Sequence, residues 1–112
     1  MADVIIDDDT VTVSLSAFEK LEALHGDVTV PRSAIKRARA VPDGMAEVHG
    51  IRAPGTALPG VVLVGTWRSG AGATFAVCHG RKPAIVIDLD GEPFDRLVVT
   101  VGDPEGVLCS LA

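Results

Sequence analysis

The stretch 61–101 most constrains what this chain can fold into. It holds four short apolar runs, 61–68, 73–79, 84–89 and 94–101. The turns between them are Ser69-Gly70-Ala71-Gly72, Gly80-Arg81-Lys82-Pro83 and Asp90-Gly91-Glu92-Pro93. Runs this short, rich in Val and Ile and bounded by Gly and Pro, read as strands. Asp90-Gly91 is a common hairpin dipeptide. The pattern predicts a meander of four strands, and with it a mostly β domain.

The first sixty residues add to that frame. Val11, Val13 and Leu15 alternate with Thr10, Thr12 and Ser14, the period of a half-buried strand. Residues 4–6 extend it or form a short edge piece. Ser16 and Glu19 then have capping-box spacing, which predicts a short helix near 16–25. Ala17, Phe18, Leu21 and Leu24 would form its apolar face, with Glu19, Lys20 and Glu22 in water. Gly26 suits the left-handed position just past its end. Val28 and Val30 alternate again, Pro31 marks an edge or bend, and a longer strand-like run covers 33–41. Within that run Arg37 and Arg39 share a face with Ile35 and Val41, while Lys36 points the other way among alanines. Such mixed alternation predicts an edge strand, a bulge or a face that meets a partner.

Residues 44–60 resist assignment to a regular element. Gly50, Gly55, Gly60, Pro54 and Pro59 fall within eleven positions, so a long irregular loop is expected. A connection of that length in a compact domain leans towards function. At the far end Asp103 is placed as an N-cap and Pro104 as the first residue of a terminal helix. Val107, Leu108 and Leu111 would dock that helix on the sheet. The expected architecture is a partly open barrel of about seven antiparallel strands, closed by a short C-terminal helix, with the extra short helix near 16–25. At 112 residues the chain reads as one domain, 1–112.

Charge is segregated along the chain. Residues 1–30 carry seven acids and one Lys, residues 31–82 eight bases and two acids, and residues 83–112 six acids and one Arg. The net charge of −5 argues against nucleic-acid binding and against an anionic membrane surface. It leaves room for one basic surface in the middle third. No run approaches the roughly 18 apolar residues of a membrane span. The acidic N-terminal stretch is unlike a signal peptide, which reads as cytoplasmic. The chain lacks Asn, Gln and Tyr and is rich in Ala, Gly and Val, a codon bias expected of a high-GC bacterial genome.

With these elements assigned, the chain resembles the bacterial pleckstrin-homology-like domains. Three stretches carry the likeness. They are Gly26-Asp27-Val28-Thr29-Val30-Pro31 leading into Ser33-Ala34-Ile35, Gly50-Ile51-Arg52-Ala53-Pro54-Gly55-Thr56, and Phe94-Asp95-Arg96-Leu97-Val98-Val99-Thr100-Val101 running into Asp103-Pro104-Glu105. The helix near 16–25 departs from the simplest members, which have a hairpin there. The resemblance implies a binding scaffold of seven strands and a C-terminal helix, and it transfers no catalytic residues.

The residues themselves give little chemistry. His25, His49 and His79 each precede a Gly where an element ends, with no His-x-x-x-His or Cys-x-x-Cys spacing. Cys78 and His79 are neighbours on a strand and point to opposite faces, so they form no dyad. Cys78 and Cys109 both read as buried free thiols. No serine lies in a Gly-x-Ser-x-Gly context, and the Gly-rich 50–60 segment lacks the Lys of a phosphate loop. No enzyme, metal or cofactor is therefore expected. The candidate binding residues are Arg32, Arg37, Arg39, Arg52 and Arg68, with Pro54 in the loop and Trp67 as core or anchor. The expected function is an interaction module that contacts a protein partner or a second copy of itself. The alternative is a binder of a small anionic ligand or lipid headgroup through those arginines. A metal-dependent enzyme built on the histidines comes third.

Overall fold

The computed structural model describes residues 2–70 and 72–111, with Ala53 described by its backbone alone. Strands β1 (Asp3–Ile6), β2 (Thr10–Ser14) and β3 (Val28–Pro31) form an antiparallel sheet in that order. Their alternation works as written in the sequence: Val11, Val13, Val28 and Val30 all point into the core. Helix α1 (Ala17–Ala23) fills the connection between β2 and β3. The chain turns at Pro31 through a 3-10 turn, Arg32–Ala34, and enters a second sheet as β4 (Ile35–Val41). Another 3-10 turn, Gly44–Glu47, leads to β5 (Ile51–Leu58), β6 (Val62–Ser69), β7 (Gly72–His79), β8 (Ala84–Leu89) and β9 (Arg96–Thr100). Helix α2 (Pro104–Leu111) follows. The order in the larger sheet is β4-β8-β9-β7-β6-β5.

The main core joins the inward faces of the two sheets. Phe75, Val77, Ile85, Ile87, Leu97 and Val99 from the large sheet share one cluster with the valines of the small one. Val107, Leu108 and Leu111 of α2 pack against it, and Asp103 Oδ1 accepts from the Gly106 backbone N–H at 3.0 Å. The terminal helix is thus capped and docked as its sequence predicts. A smaller cluster lies on the opposite face of the large sheet, where Met45 and Val48 cover Val41, Trp67, Ala76, Cys78, Val86 and Val98. No helix among the described residues is long and apolar enough to cross a membrane.

The mostly β architecture, the short helix near 16–25 and the closing C-terminal helix agree with the expectation, while several particulars do not. Nine strands are present among the described residues rather than about seven. One pairing is parallel: β9 runs beside β7, with Phe75 opposite Leu97 and Val77 opposite Val99, and it separates β7 from β8. A meander read from the sequence assumes that successive strands pair. Here four residues after β7 carry the chain past the site of β9, and the β8–β9 hairpin folds back into the gap.

The segment 44–60 is also more regular than its Gly and Pro content suggested. Strand β5 tolerates Pro54 because it is an outer strand and its register shifts between Arg52 and Gly55. Gly55 faces Gly65 across the β5–β6 ladder, and both have positive φ. A Cβ on Gly65 would lie 2.5 Å from the Gly55 Cα and from the Pro54 carbonyl oxygen. Backbone would have to move to admit it. Gly65→Ala is therefore expected to cost about 2 kcal/mol. Urea unfolding monitored by Trp67 fluorescence measures it, and a change within error would show that β5 shifts freely.

Helix α1 presents the other face from the one expected. Glu19 and Ala23 are buried, whereas Phe18, Leu21 and Leu24 are 70%, 68% and 68% exposed. The cause is polar: the Glu19 carboxylate is drawn inward to His79 on β7, at 2.6 Å. Residues four apart follow it in, and the three large apolar side chains turn out. Leu24, not Gly26, takes the left-handed position that ends the helix. Cys109 is another correction. It is exposed, since Val107, Leu108 and Leu111 occupy the docked side of α2.

Candidate functional site

One row of side chains crosses the outer face of the large sheet. Register pairs Arg37 with Asp88, Asp88 with Arg96, Arg96 with Thr74, Thr74 with Trp67, and Trp67 with Arg52. Paired residues share a face, so the row runs through all six strands. Trp67 fixes which face this is, because it is buried in the smaller outer cluster. At the β4 end a cleft of about 560 Å³ opens over the row. Lys36, Arg37, Thr74, Asp88 and Arg96 line its floor and side, while Glu47 and His49 descend from the segment after β4. Ser69, Asp95 and the start of β7 complete the rim.

Strand β4 explains how Lys36 reaches the cleft. It is an outer strand and it carries a register shift between Ile35 and Arg37. The extra residue is Lys36, and the bulge turns it towards the same hollow as Arg37. The mixed alternation of the sequence thus reports both an edge and a bulge.

Asp88 is the centre of the charge arrangement. It is buried in a strand whose other residues are all buried and apolar. Arg37 donates from Nε and Nη2 to Oδ2, at 3.3 and 3.2 Å. Arg96 donates from Nε to Oδ1 at 2.8 Å. Burial by itself would raise the Asp88 carboxyl, but the Arg96 and Arg37 guanidiniums outweigh it and hold the group below the usual carboxylate range. The other acids of the cleft have donors too. Glu47 accepts from Arg39 at 2.6 Å, and Asp95 accepts from the Ala73 backbone N–H at 2.8 Å.

The arginines singled out from the sequence divide. Arg37, Arg39 and Arg52 lie on the outer sheet face, with Arg52 on β5, the opposite sheet edge from β4, and outside the cleft lining. Arg68 neighbours Trp67 in sequence and so takes the opposite face. Arg32 lies elsewhere, at the corner between the sheets. Its guanidinium donates to the Asp7 carbonyl and, at the end of α2, to the carbonyls of Ser110 and Leu111. It borders a second hollow of about 860 Å³ that also has Asp3, Asp7, Asp8 and Asp103 around it. Pro54 is exposed on the β5 edge, and Trp67 is core.

The histidines occupy three separate settings. His25 packs its ring against Phe75 and Phe94, with centroids 5.1 and 5.6 Å away. His79 pairs with Glu19, and His49 lines the cleft. No group of three His, Cys, Asp or Glu among the described residues could hold a metal ion. Burial pushes the Cys78 thiol up to about 12, far from a reactive thiolate.

Arg96, Asp88 and Thr74 were not among the candidates drawn from the sequence. A signal for Asp88 was present: a lone acid inside Ala84–Leu89 needs a charged partner to be buried. Arg96 is the only Lys or Arg after residue 82, and so the only cationic partner that lies C-terminal to Asp88 in the sequence. No family model matches the chain, and neither does any curated protein or solved structure.

Proposed function

We propose that this chain is a non-catalytic interaction module and that the outer cleft receives an extended segment of a protein partner. One observation carries the reading. The arginine-bearing strand β4 and the segment that follows it, the two parts of the sequence least consistent with simple packing, line one hollow. Its volume falls in the range of ordinary ligand sites. Its lining mixes both charges with hydroxyl and imidazole groups, which suits recognition of a polar chain more than an apolar small molecule.

A random twelve-residue peptide library selected on the immobilised full chain tests this. Enriched peptides are then mapped by amide chemical shifts. The expected shifts cluster at Lys36, Arg37, His49, Thr74 and Arg96, and Arg37→Glu weakens binding about tenfold or more. Peptides that map to the exposed Phe18, Leu21 and Leu24 stripe, or a selection that enriches nothing, would overturn the proposal.

A further inference from the structure

We propose that Arg37 and Arg96, set on either side of Asp88, form a receptor for one oxyanion group of the ligand, a carboxylate or a phosphate. The proposal rests on the cleft being the binding site and adds what the cleft recognises.

Two guanidiniums share one carboxylate, so the trio keeps a positive charge. A guanidinium has five N–H donors in a planar fork. The contacts to Asp88 use Nε and Nη2 of Arg37 and only Nε of Arg96. Nη1 of Arg37 and both Nη atoms of Arg96 have no partner among the described residues. They belong to side chains that line the cleft. Lys36 has no ion-pair partner among the described residues either, and it borders the same space. The acids nearby are bonded to other donors. Glu47 is held by Arg39, and Asp95 by the Ala73 backbone. Thr74, opposite Arg96 in register, adds a hydroxyl beside the pair.

Asp88 is a positioning residue in this arrangement. It is anchored in the sheet and holds each guanidinium by Nε. Those bonds restrict how both guanidiniums can turn before a ligand arrives, Arg37 through two donors on one oxygen and Arg96 through one. Planar forks fit carboxylate and phosphate oxygens in pairs, whereas spherical anions gain nothing from the geometry.

The experiment follows the Nε–Hε signals of Arg37 and Arg96 in the full chain. Inorganic phosphate and acetate are titrated in separate arms at constant ionic strength, with chloride as the reference. Saturable shifts of both side chains with phosphate, acetate or both are expected, against a linear drift with chloride. Saturation with phosphate alone assigns a phosphorylated ligand, and saturation with acetate as well assigns an acidic side chain. Arg96→Lys keeps the charge and loses the fork, and it should weaken binding about tenfold. Arg52→Gln should leave binding unchanged. Asp88→Asn separates position from charge. A site of mere net charge binds phosphate more tightly in this variant, and a positioned pair binds it more weakly. Should Asp88→Asn fail to fold, Arg96→Lys decides the point alone. Chloride-like responses in both arms overturn the proposal. Peptides that bind the cleft without any acid, in a protein whose arginines respond linearly, would leave the interaction module standing and remove only the oxyanion receptor.

Discussion

Glu19→Ala is expected to destabilise this domain by about 3 kcal/mol, the combined cost of the lost hydrogen bond to His79 and a broken helix cap. The Glu19 side chain is 2% exposed, although it belongs to a surface helix of seven residues. One oxygen accepts from the Ser16 backbone N–H at 2.9 Å, and the other accepts from His79 Nε2 at 2.6 Å. The Ser16 hydroxyl in return accepts from the Glu19 N–H at 3.2 Å. A helix this short has little intrinsic stability. Its attachment depends on Ala23, on this carboxylate, and on Thr56, which donates its hydroxyl to the Glu22 carbonyl at 2.9 Å. Glu19→Gln keeps a cap acceptor and should lose roughly half as much. Urea midpoints of the three proteins at pH 7 measure the series.

Acidity gives the same residue a second signature. Burial would raise the Glu19 carboxyl, but the donors from Ser16 and His79 outweigh it and bring the group below its ordinary 4.5. Asp88 is likewise held below its ordinary 3.8. A carboxyl whose folded value is depressed stabilises the fold fully above its unfolded value. That contribution is lost as pH falls through the lower, folded value. The wild-type midpoint should therefore hold down to about pH 4.5 and drop steeply below it. In Glu19→Ala the drop should be shallower and should follow Asp88 alone. Parallel curves for the two proteins would show that Glu19 carries no linkage.

Phe75→Ala has the largest expected effect of any single truncation, about 4 kcal/mol. Phe75 is fully buried and sits in β7, with β6 on one side and β9 on the other. Its ring lies 5.2 Å from that of Phe94 and 5.1 Å from that of His25. Both neighbours are nearer the surface, so part of the void can close by their inward movement. Phe94→Ala, at a half-buried position, should cost about 2 kcal/mol. A thermal melt ranks the two. Equal losses would mean that the aromatic trio acts as one unit rather than as a core residue under two cover residues.

Features fixed by neighbours in sequence were legible before the structure. The six residues of β8, the Ser16–Glu19 capping box and the Asp103–Pro104 helix start each follow from local spacing. Features fixed by remote partners were not. The parallel β7–β9 pairing depends on which edge the β8–β9 hairpin meets, and periodicity carries no register between strands. The inverted face of α1 depends on a histidine sixty positions later. At the candidate site, the alternation around Lys36 pointed to an edge, a bulge or a partner face, and the register shift between Ile35 and Arg37 on an outer strand supplies the first two. The alignment of Arg37, Asp88 and Arg96 needs three strands in register, which no single run of residues contains. Likewise the tolerance of β5 for Pro54 follows from its outer position, and position in a sheet is not written locally.

The placement of β9 has a consequence for how this domain is made. The strand lies between β7 and β8, yet it follows both in the chain. During synthesis the sheet has a gap at its centre until residue 100 has emerged. Before then β7 and β8 each offer a bare apolar edge that should have been an interior one, with Phe75, Val77, Ile85 and Ile87 close behind. Such edges pair with other chains as readily as with their own. The last strand to arrive therefore closes the most aggregation-prone stage of folding. Pauses that delay residues 96–100 should lower soluble yield more than equal pauses placed before β5.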